Sequence, residues 1–89
     1  MIVCRMLGSL WATRKYDELS GMKLMRVEVL EGIEAGKKLV CVDTIGAGIG
    51  ERVLVTCGSA AYHFVRDEFA KNAPVDAVIV GIIDEDVEL

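Results

Sequence analysis

Between Lys23 and Leu30, apolar Met25, Val27 and Val29 alternate with charged Arg26 and Glu28, the period of a strand with one face in a core and one in water. Similar runs of β-branched and apolar residues, punctuated by glycine, predict five strands: about Ile2 to Trp11, Lys23 to Leu30, Lys38 to Thr44, Arg52 to Cys57 and Ala77 to Ile83. Only Ala60 to Lys71 carries a helical period, with Ala61, Phe64 or Val65, and Phe69 along one side. Ser59 is placed to cap this helix, and Asn72 followed by Pro74 is placed to stop it. The pattern therefore predicts an all-β class, a small antiparallel five-stranded β-barrel with one short helix. Leu39 to Val42 and Val78 to Ile83 show no alternation, so both faces of these strands need cover. Either subunit contacts or the helix and loops supply it.

With 89 residues, the chain is expected to form one domain over 1–89, and a core of that size gains from oligomerisation. Fourteen acidic against ten basic side chains leave a net charge of −4, which disfavours nucleic acid and anionic membrane surfaces as partners. The composition is 53% hydrophobic, yet no apolar run approaches the roughly 18 residues of a membrane span. The opening Met1-Ile2-Val3-Cys4-Arg5 shows no secretory pattern, and the expected compartment is the cytoplasm. Cys4, Cys41 and Cys57, odd in number and widely spaced, read as buried reduced thiols.

Candidate chemistry is sparse. Gly46-Ala47-Gly48-Ile49-Gly50-Glu51 invites comparison with a dinucleotide loop, but a strand follows instead of a helix, and Glu51 sits where anions would approach. The segment reads instead as a tight loop whose glycines permit close approach of another backbone. His63 with the three cysteines lacks the paired ligand spacing of a zinc site, and Cys57 near His63 lacks an orienting third group. Asp84 to Glu88 reads as a solvated acidic end. Trp11 and Tyr16 flank the basic pair Arg14-Lys15, a weak echo of single-strand-binding barrels that the net charge opposes. No catalytic residue, cofactor or metal is expected.

Several segments, in order, resemble the EutN/CcmL family of bacterial microcompartment and carboxysome vertex proteins. They are Gly8 with Ala12-Thr13-Arg14-Lys15, Leu19-Ser20-Gly21-Met22-Lys23-Leu24, Val42 to Glu51, Gly58-Ser59-Ala60-Ala61, and Pro74-Val75-Asp76 running on to Asp84. The family usually has Arg where this chain has Tyr62. The resemblance implies an OB-like barrel assembling as a cyclic pentamer that plugs the corners of a shell. Its implied partners are further copies of itself and the hexameric and trimeric shell proteins, and its role is structural. An OB-type nucleic-acid or small-ligand binding module is the alternative. On this resemblance Gly46, Ala47, Gly48, Ile49, Gly50 and Glu51 are expected at the five-fold axis or a subunit interface. Thr13, Arg14, Lys15, Tyr16, Pro74, Val75 and Asp76 are expected at shell contacts, with Asp17 beside them.

Overall fold

A computed structural model describes residues 1–12 and 14–88. Five strands, β1 (Ile2–Ser9), β2 (Lys23–Val29), β3 (Lys38–Asp43), β4 (Arg52–Cys57) and β5 (Ala77–Ile83), close into a barrel in the order β1-β2-β3-β5-β4. The helix α1 spans Ser59–Phe69, and a single 3₁₀ turn, Asp17–Leu19, lies in the β1–β2 connection. The alternation seen in the sequence becomes the two sides of the barrel wall. Met25, Val27 and Val29 point inward with Cys4, Met6, Cys41, Val53, Val55 and Ile79, and all are buried. Register shifts between Met6 and Gly8 and between Leu54 and Val55 bend the sheet as closure requires.

The strands that lack alternation are covered in part by the chain itself. Ala61 and Val65 of α1 pack on Val42 and Val78, with Met22 and Ala73 completing a second, outer cluster. Phe69 continues the same helix stripe while Phe64 faces outward, which resolves the choice between Phe64 and Val65 in favour of Val65. Val40 and Ile82, farther along the same two strands, remain 49% and 43% exposed, so the helix does not cover the whole of either strand.

Five expectations are corrected. The barrel is not wholly antiparallel, because β3 and β5 run parallel where they meet, with Val42 opposite Val78 and Asp43 opposite Ile79. The first strand ends at Ser9, leaving Trp11 in the following loop and 90% exposed. Ser59 is the first helical residue, Gly58 holds the cap position, and no side chain caps the helix. The helix stops at Phe69 because Ala70 turns left-handed (φ 53°), before Asn72 or Pro74 can act. Cys57, expected in the core, is exposed: it continues the inward series of Val53 and Val55 but is the last residue of β4, at the open mouth of the barrel.

Candidate functional site

The Gly46–Glu51 loop follows β3 directly, and Asp43, the last residue of that strand, organises it. Its buried carboxylate accepts the backbone N–H groups of Ile45 and Gly46 through Oδ1, both at 3.0 Å, and of Ala47 through Oδ2 at 2.9 Å. An aspartate that satisfies the amides ahead of it shapes a turn without needing a helix. At the other end Glu51 folds back, its Oε1 accepting the Gly48 amide at 2.5 Å. The loop is fastened to β1 as well: Gly50 N–H donates to the Met6 carbonyl at 2.8 Å, and Met6 N–H to the Glu51 carbonyl at 2.9 Å.

Within one chain the backbone conformation, not close packing, accounts for two of the glycines. A Cβ at Gly46 or Gly50 would meet nothing within 4 Å, so neither is packed against another backbone of the same chain. Their φ values of +84° and +86° are what exclude a side chain. Gly48 has an ordinary φ, but a Cβ there would come to 3.0 Å from Glu51 Oε1 and disturb the cap. Ala47 is buried in the core while Ile45 and Ile49 project outward, 47% and 77% exposed. The result is a loop held rigidly by its own polar groups that presents two isoleucines to the outside.

A second feature lies on the outer wall over β2. A groove of about 390 Å³ runs between Trp11 and the β2 residues Lys23 to Met25. Two further hollows share Leu24 with it, one reaching Arg14, Lys15 and Tyr16, the other reaching Val40, Pro74, Val75 and Asp76. The two stretches singled out in the sequence as shell contacts thus border neighbouring hollows that share Leu24. Thr13, named with them, lies outside the described residues.

The remaining candidates do not converge. His63 is exposed on α1 with its ring edge-on to Tyr62, centroids 5.5 Å apart. Tyr62 itself donates its hydroxyl to Asn72 Oδ1 at 3.2 Å and so ties the helix to the segment that follows it. Burial pushes the Cys4 thiol up to about 11 and the Cys41 thiol up to about 12. Partial burial, then the Asp76 carboxylate, also raises that of Cys57, the opposite of what a nucleophile requires. Among the described residues, no group of three or more His, Cys, Asp or Glu is placed to hold a metal ion, and no helix is long and apolar enough to cross a membrane.

Compared with known proteins, residues 1–84 match the family described as ethanolamine utilisation protein EutN/carboxysome. The chain belongs to the EutN/CcmL family. It is 41% identical over 86 residues to the bacterial microcompartment shell vertex protein GrpN of Rhodospirillum rubrum, covering 94% of this chain and 93% of that one. It is 40% identical over 88 residues to the carboxysome shell vertex protein CcmL of Thermosynechococcus vestitus, covering 94% and 84%. The solved structure of GrpN, a pentameric microcompartment shell protein, superposes with a TM-score of 0.78 over 100% of this chain and 99% of that chain, at 38% identity. The likeness of this EutN/CcmL chain to a vertex protein therefore extends over the barrel, the glycine loop and the groove together.

Proposed function

We propose that the chain is a structural shell component, a single vertex domain of which five copies close into a ring that caps the corners of a bacterial microcompartment. The observation that carries this is the full-length superposition on a pentameric shell protein. Rings built from one repeated contact need two different faces on each subunit. The projecting isoleucines of the glycine loop are a candidate for one of them. In this reading residues 46–51 lie against a neighbouring subunit or the five-fold axis. The loop of Arg14, Lys15 and Tyr16 and the segment Pro74 to Asp76 meet the hexameric and trimeric proteins that tile the faces. The protein catalyses nothing; its work is to supply the curvature that a flat hexagonal layer lacks. A nucleic-acid-binding barrel is not favoured, because the net charge of −4 opposes it and the relatives are shell proteins.

Native mass spectrometry is expected to give five chains per particle, and a monomer or dimer would remove the vertex reading. The double variant Arg14→Glu, Lys15→Glu is expected to keep that particle intact yet enter reconstituted shells poorly. Normal incorporation of the variant would exclude this loop from the shell contact.

A further inference from the structure

Arg5 on β1 and Arg52 on β4 stand directly opposite each other in the barrel wall. Side chains so paired have Cβ atoms about 4.5–5.5 Å apart, a spacing at which like charges repel. Both point outward, since Cys4, Met6 and Val53 on either side of them fill the interior. The two guanidinium groups are drawn to one rim of the barrel. Arg5 Nη1 donates to the Gly50 carbonyl at 2.7 Å and Arg52 Nη2 to the Asp84 carbonyl at 2.6 Å. Both carbonyls lie at the same end of the barrel wall, because Arg52 pairs with Ile83 and the chain leaves the wall there, before the one and after the other.

Two carboxylates that adjoin these carbonyls already accept backbone amides, while Glu85 and Asp86 follow Asp84 in the next turn. Glu51 accepts the Gly48 amide, and Asp84 Oδ1 accepts the Asp86 amide at 3.3 Å. Glu28, across from Arg5 on β2, forms no ion pair with it; among the described residues the ion pairs are Lys37–Glu34 and Arg66–Asp67. Each guanidinium carries five N–H donors in a planar fork, and here one donor of each is spent on a carbonyl. The fold thus sets two arginines opposite each other in the wall, orients each with a backbone oxygen, and, among the described residues, pairs neither with a carboxylate.

We propose that Arg5 and Arg52 together form a receptor for a small oxyanion, a carboxylate or phosphate group, held between the two guanidinium forks beside Gly50 and Asp84. Such a group would accept paired hydrogen bonds from planar donors and cancel the repulsion between them. The oxyanion can arrive as a free ion or as a carboxylate of an adjoining copy of the chain.

The test follows the arginine side-chain Nε resonances of the full chain in its native assembly while sodium phosphate replaces sodium chloride at constant ionic strength. For a free ion, Arg5 and Arg52 shift together along a saturating curve and Arg66, on the helix surface, does not. Arg52→Gln then raises the midpoint at least about fivefold, and Arg52→Lys, which keeps the charge without the fork, raises it as well. For a carboxylate already supplied by a neighbouring copy, phosphate moves neither resonance, and Arg52→Gln makes the assembly dissociate at about tenfold higher protein concentration. Unsaturating shifts shared by Arg66 overturn the proposal, as does the absence of any shift together with an assembly indifferent to Arg52→Gln.

Discussion

Asp43 is the charged side chain that the fold buries, at 4% exposure, and its three amide partners explain why it can remain there. Asn at this position keeps one acceptor oxygen and loses the charge that strengthens all three bonds. Asp43→Asn is expected to cost about 1–3 kcal/mol. Calorimetry should register a lower melting temperature, and the amides of residues 45–47 should exchange faster with solvent; an unchanged melt would separate the loop from the stability of the barrel. The buried thiols give a second expectation. Their proton affinity is higher in the folded chain than the ordinary thiol value of 9.0, so the unfolded chain gives up those protons first as pH rises. Stability from Cys4 and Cys41 is therefore complete below pH 9 and is lost progressively up to about 12, with a fall on the order of a few kcal/mol by pH 11. Urea titrations at successive pH values would show the loss, and Cys4→Ala should flatten it. The role of Asp43 was open to a reader of the sequence, because an Asp just ahead of Gly46-Ala47-Gly48 is a turn-forming arrangement; attention to the glycines hid it. Glu51 was legible only as an obstacle to anions, since its bond to the Gly48 amide depends on a loop conformation that spacing does not reveal.

At the scale of elements, the strand positions were legible because each inward series of β-branched residues is set by the pleat itself. β2, β4 and β5 start where the alternation or the apolar run starts, and the helical segment begins just after Gly58. What was not legible is what depends on partners distant in sequence: the parallel meeting of β3 with β5, and the early end of β1. The helix terminus is instructive. Ala70 adopts φ 53°, a conformation that costs a residue with a Cβ about 1–2 kcal/mol. Glycine removes that cost but gives the unfolded chain more freedom, worth about 0.4–1 kcal/mol. Ala70→Gly is thus expected to stabilise by about 0.5–1 kcal/mol, read as a rise in melting temperature, whereas a fall would mean that Ala70 does more than end the helix.

For the whole molecule, the features that matter lie outside the core. Trp11, Ile33 and Ile49 are 90%, 105% and 77% exposed, an arrangement costly for a lone chain and ordinary for one that buries them in company. Periodicity could assign none of this to a partner, because it separates inside from outside but cannot distinguish water from a neighbour; only the family resemblance set Ile49 at an expected interface. The barrel itself has one weak seam. β3 and β5 share two paired positions where β4 and β5 share six, and Asp43, the anchor of the glycine loop, is one of the residues at that seam. Opening should begin there, so the amide protons that bridge β3 and β5 should exchange through a faster, lower-energy event than those that bridge β4 and β5; equal protection on both seams would argue for all-or-none opening. A barrel that breathes along one seam also has a clock. Strands far apart in sequence must find each other before the wall closes, the slow part of folding for such topologies, and until then two strand edges stand open to any other chain. The time a newly made chain spends with that gap unsealed sets how much of it reaches its companions as a finished wedge and how much is lost to aggregation.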